Sequence, residues 1–110
     1  MKTRDNPLGS LEHIVLLAVM RLGSDAYGMT VRREIESTTG RDISIGAVYA
    51  TLARLESKGL VKSYTGEPTA ERGGRAKRHV SVTAAGKGAL RTTHEALRKM
   101  SAGLKGLEST

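Results

Sequence analysis

Ser44, Gly46, Ala47, Tyr49 and Ala50 stand together in the run Ser44-Ile45-Gly46-Ala47-Val48-Tyr49-Ala50, which surrounds one phenol with small side chains. At the start of a helix such a run has a definite chemistry. The first-turn N–H groups lack intrahelical partners and favour an anion. Small side chains allow close approach to base edges, and the Ser44 hydroxyl donates to a phosphate or a base. Tyr49 follows the apolar Val48, so it projects sideways with its hydroxyl available to a phosphate; the competing reading is a partly buried core tyrosine. Arg54, further along the polar side, reaches the nucleic-acid backbone or pairs with a neighbouring acid. Downstream, Arg72, Arg75, Lys77 and Arg78 surround Gly73-Gly74. Arginine binds phosphate in two-pronged fashion or lies in a narrow minor groove, and glycine lets a loop tip enter a groove without a side-chain clash. Taken alone, this segment also reads as a solvated basic loop, and similar runs occur in RNA-binding segments.

Other chemistries find little support. The chain of 110 residues has no Cys, which removes disulfides, thiol nucleophiles and thiolate metal sites together. His13, His79 and His94 show no metal-ligand spacing and form no recognisable nucleophile–base pattern with a Ser or carboxylate. The acidic residues are scattered over polar faces. No catalysis and no cofactor are expected. Phe and Trp are absent and only Tyr27, Tyr49 and Tyr64 are aromatic, so neither a pocket of stacked rings nor a platform for unpaired bases is expected. Ile14 to Met20 is the longest apolar stretch and is far short of the roughly 20 residues of a membrane span. The start of the sequence lacks the regions of a secretory signal, so a cytoplasmic location without membrane contact is the expectation.

Charge points the other way. The formal net charge is +7 and the pI about 10.1. Residues 1–40 carry equal numbers of basic and acidic side chains, so the whole excess lies from Arg41 onward, where the candidate residues are. A localised basic excess attracts polyanions, of which nucleic acid is the commonest.

These residues need elements to hold them. Ser10 is positioned to cap a first helix whose Leu11, Ile14, Val15, Ala18 and Leu22 recur at helical spacing, with Leu17 and Val19 widening the stripe. Gly23 suits the left-handed residue after its end. Ser24 or Asp25 can cap a second helix through Tyr27, Val31 and Ile35, ended by Ser37-Thr38-Thr39-Gly40. The third helix carries Val48, Leu52 and Leu55 inward, and Gly59 terminates it, with Leu60 folding back on its last turn. The period then becomes two, in Leu60 to Thr65 and again in Arg78 to Thr83, which reads as a β-hairpin with a long loop. Thr83 caps a last helix reaching about Leu107. In it Leu90, Leu97 and Leu104 fall at heptad spacing, with Thr93, Met100 and Leu107 three residues after each. Gly86, Gly88, Gly103 and Gly106 each cost that helix about 1 kcal/mol, so it must lean on a neighbour, either its own first helix or a second copy. Leu90, Leu97, Met100, Leu104 and Leu107 are the candidate dimerisation residues.

The sequence resembles the PadR family of bacterial transcriptional regulators. The likeness runs from about Leu8 to Leu90. It is carried by Tyr27-Gly28, Ile43-Ser44-Ile45-Gly46-Ala47-Val48-Tyr49, the run Leu52 to Val61, Gly74-Arg75-Ala76-Lys77-Arg78, and Val82-Thr83-Ala84-Ala85-Gly86. The resemblance implies a winged-helix homodimer, usually a repressor, on a palindromic operator often near its own gene, with a C-terminal helix exchanged or packed across the dimer. By position, Ser44, Gly46 and Tyr49 match the family's recognition helix, and Gly74 and Arg75 its wing. Ala47 stands where Thr is common and Ala50 where Pro is common, which alters any inherited operator preference. Some members hold flat drugs between Trp residues; without Trp that pocket is not expected, and a small-molecule effector of another kind stays open.

The expectation is therefore a mainly α chain with a β-hairpin: a winged helix-turn-helix DNA-binding domain over 1–83 plus a C-terminal dimerisation helix over 84–110. Its expected partner is double-stranded DNA, bound as a homodimer. The alternative is a winged-helix protein-interaction module, against which the basic residues of the third helix and wing argue.

Overall fold

Four helices and one hairpin follow one another in the computed structural model, which describes residues 9–65 and 78–107. Helix α1 (Ser10–Leu22) starts at the serine expected to cap it, one residue earlier than that cap implied. Gly9 is its N-cap, and the Gly9 N–H donates to Glu12 Oε1 at 3.0 Å. A carboxylate in the first turn serves both the orphan donor and the helix dipole. Val15, Leu16, Ala18 and Val19 form the buried face. Leu16 was not part of the expected stripe, yet it is fully buried, while its neighbour Leu17 is 44% exposed. Burying a leucine in full contributes roughly 1.5–3 kcal/mol, so this shift of the face is not marginal.

Gly23, at φ 59°, leaves α1 as expected and opens a 3-10 turn over Gly23–Asp25. Ser24 and Asp25 therefore do not cap the second helix. Helix α2 (Gly28–Thr39) begins three residues later, with Tyr27 as N-cap, and Thr30 does the capping. The Thr30 hydroxyl accepts from the Tyr27 N–H at 3.0 Å and donates to the Asp25 carbonyl at 2.6 Å. Gly40, at φ 75°, ends α2. Between α2 and the next helix, Arg32 pins the chain: its Nε donates to the Ile43 carbonyl at 2.8 Å and its Nη2 lies 3.5 Å from Asp42.

Helix α3 (Ile45–Ser57) is capped by Ser44, whose Oγ accepts from the Ala47 N–H at 3.1 Å. It ends as the Gly59 signal predicts. With Gly59 at φ 76°, the Leu60 N–H donates to the Leu55 carbonyl and the Gly59 N–H to the Glu56 carbonyl, both at 2.9 Å. That pair of bonds is the Schellman closure of a helix. Val48, Leu52 and Leu55 face inward as expected.

Strands β1 (Val61–Thr65) and β2 (Arg78–Val82) pair antiparallel, from Val61 opposite Val82 to Thr65 opposite Arg78. Val61 and Val80 bury their side chains in the core, and the Val80 N–H donates to the Ala26 carbonyl at 2.9 Å. His79 stacks with Tyr64 at 5.5 Å and meets Tyr27 edge-on at 5.3 Å, joining the hairpin to the start of α2.

Helix α4 (Ala84–Ser101) is capped by Thr83, whose Oγ1 accepts from the Gly86 N–H at 3.0 Å. Thr83 is a joint as well as a cap. Its hydroxyl donates to the Gly59 carbonyl at 2.7 Å and its N–H to the Leu60 carbonyl at 3.0 Å. Gly86 sits so close that an added Cβ would lie 2.2 Å from the Leu60 carbonyl oxygen. The helix stops at Ser101 instead of continuing to Leu107, because Gly103 and Gly106 take φ of 80° and 90°. Leu104 and Leu107 thus lie in turns beyond it. Leu90 joins the core, whereas Leu97 and Met100 are exposed. His13 on α1 has its pKa lowered, first by burial and then by the charge of His94 on α4, as fits α4 lying over α1.

Candidate nucleic-acid interface

Helix α3 has two unlike sides because its sequence alternates bulk and smallness at helical spacing. Val48, Thr51, Leu52 and Leu55 are buried, and the Thr51 hydroxyl is satisfied by donating to the Ala47 carbonyl at 2.8 Å. On the other side Ser44, Gly46, Tyr49 and Ala50 are exposed, and Ala47 is half-buried. Five of the six contact residues expected on this helix, all but Arg54, therefore lie at its start, on the side away from the core. With these side chains small, a duplex groove can approach the helix closely.

Tyr49 is neither a core tyrosine nor a free one. It is 54% exposed, and its ring lies against the α-carbon of Gly28: a Cβ built there would be 2.4 Å from Tyr49 Cε1. The two residues line a groove of about 470 Å³ with Met29, Leu52, Ala53, Glu56, Arg78 and others, running between the start of α2, the outer side of α3 and the hairpin. Arg78 stands at its hairpin edge. Its Nη2 donates to Ser63 Oγ at 2.8 Å and lies 3.8 Å from Glu56, which itself accepts from the Ser63 hydroxyl at 2.8 Å. The Arg78 side chain stays 74% exposed, so its remaining donors face solvent. Arg72, Arg75 and Lys77 lie outside the described residues.

Arg54 is placed differently. Its Nε lies 3.5 Å from Glu12 Oε2 and its Nη2 donates to Thr51 Oγ1 at 3.2 Å. The acid it meets is 42 residues away in sequence, on α1, and Lys58 meets the same carboxylate at 2.8 and 3.0 Å. Burial alone would raise the pKa of Glu12. The hydrogen bonds from Lys58 and the Gly9 N–H, with the charges of Lys58 and Arg54, outweigh it and hold the carboxyl below its ordinary value. Glu12 is thus ionised at neutral pH and fastens the last turns of α3 to the body. Sequence reasoning missed Glu12, Lys58, Gly28 and Arg32 as parts of the site's support. Gly28 and Lys58 carried signal only as members of family-like runs, Tyr27-Gly28 and Leu52 to Val61, without a stated role.

Among the described residues no group of three or more His, Cys, Asp and Glu is arranged to hold a metal ion, and no single helix is long and apolar enough to cross a membrane. The geometry is an exposed, small-residue helix edge, flanked by a phenol and a hairpin arginine. Residues 16–92 match the profile of the transcriptional regulator PadR-like family. The chain belongs to the PadR-like family. Members of this family are DNA-binding transcriptional regulators and not enzymes, and the chain is one of them. No curated protein matches its sequence.

Solved structures share the PadR-like fold. A PadR family transcription regulator from Clostridium difficile superposes with a TM-score of 0.71 at 22% identity, covering 84% of this chain and 92% of its own. A PadR-like transcriptional regulator from Bacillus cereus gives 0.67 at 19%, covering 83% and 84%. A winged-helix DNA-binding protein from STIV gives 0.66 at 20%, covering 94% and 98%. The winged-helix architecture expected from the sequence is the one present.

Proposed function

We propose that this PadR-like regulator is a repressor that binds a palindromic operator as a homodimer, placing two α3 helices in successive major grooves about one helical turn apart. The exposed edge of α3 carries this reading, because an uncharged, close-fitting surface between Tyr49 and Arg78 suits a groove floor bordered by phosphates. Ser44, Gly46, Ala47 and Ala50 face base edges and Tyr49 a phosphate. Arg78 anchors the backbone, together with Arg72, Arg75 and Lys77. Arg54 contributes the guanidinium face that Glu12 leaves open.

The dimer reading rests on α4. Its second half presents Leu97 and Met100, 57% and 79% exposed, and the turns beyond add Leu104 and Leu107. Four large apolar side chains in one terminal segment suit a covering partner. Leu90 supports the same helix from inside its own subunit. Residues 1–83 would then be the DNA-binding unit and 84–110 the dimerising one. Met100→Lys should leave the fold intact and shift sedimentation from dimer toward monomer; a variant as dimeric as the parent counts against this placement.

Fluorescence anisotropy tests the whole. The purified chain is titrated into duplex from upstream of its own gene and into scrambled duplex, over a salt series. Tighter, salt-dependent binding to the upstream duplex at two subunits per site is expected. Arg75→Ala should weaken binding to both duplexes and flatten the salt slope by about one unit. No binding even at low salt would overturn the DNA reading and promote a protein-interaction module.

A further inference from the structure

We infer that Gly28 is a positioning residue for DNA recognition: having no side chain, it provides the seat on which the Tyr49 phenol lies, and so fixes where the Tyr49 hydroxyl meets the DNA backbone. This rests on the DNA-binding reading above and adds to it a residue from outside the recognition helix. A Cβ at position 28 would lie 2.4 Å from Tyr49 Cε1, 2.5 Å from Cζ and 2.7 Å from the hydroxyl oxygen. No real Cβ tolerates such contacts, so any larger residue must displace the ring. Gly28 is the first residue of α2 and follows a Tyr27 N-cap in extended conformation. Ordinary helical backbone of that kind accepts any residue except where space forbids it, so space rather than conformation is what a glycine supplies here.

The displaced atoms decide what the substitution would do. All three belong to the far, exposed end of a side chain, and none is backbone. The ring would swing away while the helices stayed in place, because a flexible side-chain end gives way before backbone does. Folding would survive, and the loss would fall on whatever the seated hydroxyl does. In its seat the hydroxyl lies beside the amino end of α2, where the partial positive charge of the helix favours an anion. Phenol and helix start thus line the same groove that Arg78 borders. A phosphate approaching there meets donors from two helices, and Gly28 sets the angle between them.

The test is a double-mutant cycle on the full chain with Gly28→Ala, Tyr49→Ala and both together, titrated with the upstream duplex. Each single variant should lose about tenfold in affinity, and the double variant no more than either alone. The thermal midpoint of Gly28→Ala should stay within a few degrees of the parent. Independently of DNA, the parent should show a nuclear Overhauser contact between the Gly28 α-protons and the Tyr49 ε-protons. Losses that multiply in the double variant, unimpaired binding by Gly28→Ala, or absence of that contact would each overturn the inference while leaving the DNA reading standing. A parent chain that binds no duplex, yet shows the contact, would instead sink the DNA reading and the inference with it.

Discussion

The two ends of α3 are built on opposite plans. Its first turns expose Ser44, Gly46, Tyr49 and Ala50 and carry no charged side chain. Its last turns carry Arg54 and Lys58, and both are drawn to one buried carboxylate, Glu12. The end that carries cations has them engaged by the protein; the end without them, though Arg32 pins the chain just before it, leaves its outer side open. A recognition helix must present a fixed surface, and fixing needs strong, specific contacts somewhere along it. Placing those contacts at the far end keeps the presenting end free of side chains that would compete with a groove.

The largest effect expected from breaking this division is at the anchor. Glu12→Ala removes the acceptor of two cations and of the Gly9 N–H. Lys58 is 24% and Arg54 55% exposed, so solvent screens part of the loss. A destabilisation of about 2 kcal/mol is expected, read as a lower urea midpoint, with preference among operator variants unchanged. A changed preference would mean that the two ends are not separable.

Titration sharpens the same point. The Glu12 carboxyl is held below its ordinary value, so the stability it contributes is present above about pH 4.3 and is lost as pH falls through the folded-state value. The difference in stability between the parent and Glu12→Gln should therefore shrink on acidification below that pH. Glu34 and Glu95, also lowered by hydrogen bonds from Arg21 and Arg98 respectively, titrate in both proteins and cancel in the difference. A gap that does not narrow as pH falls below that value would contradict the charge-based anchor.

Ser44 is the one exposed-end residue with a structural duty. Ser44→Ala should cost about 1 kcal/mol through loss of the cap and weaken DNA binding as well. Ser44→Asp keeps a capping oxygen but adds a negative charge where the proposed DNA interface would bring a phosphate or base. It should restore the thermal midpoint and bind DNA worse than Ser44→Ala; equal binding by the two would remove Ser44 from the interface. The smallest effect on folding is expected at Ala50. Ala50→Ser should change stability by no more than about 0.5 kcal/mol, and its effect should appear only as altered preference at one operator position.

What the sequence made legible was local. Ser44 as a cap, Gly40 and Gly59 as stops, and the hairpin strands follow from residues within a few positions of one another, and the structure has them. Thr30 instead of Ser24 or Asp25 caps α2 because a 3-10 turn uses up Ser24 and Asp25 themselves, and nothing in helical spacing announces such a turn. Heptad spacing continued past Ser101 and so overran the helix end, since it does not register that Gly103 and Gly106 take positive φ. The supports of the candidate site were illegible for a different reason. Glu12 and Lys58 are 46 residues apart, and Gly28 and Tyr49 belong to different helices. Each pair exists only because packing brings together side chains that have no relation along the chain.

Thr83 carries a consequence of its own. It bonds the carbonyls of Gly59 and Leu60 while capping α4, and Gly86 leaves no slack against the same corner. The 18-residue α4 is therefore a lever about 27 Å long whose fulcrum is the terminus of α3. A tilt of about 5° at that fulcrum carries the far end roughly 2 Å over such a length. Read backward, a displacement imposed at Met100 would reach the end of α3 through the two hydrogen bonds that Thr83 makes to the Gly59 and Leu60 carbonyls, beside the packing of Leu90 in the core.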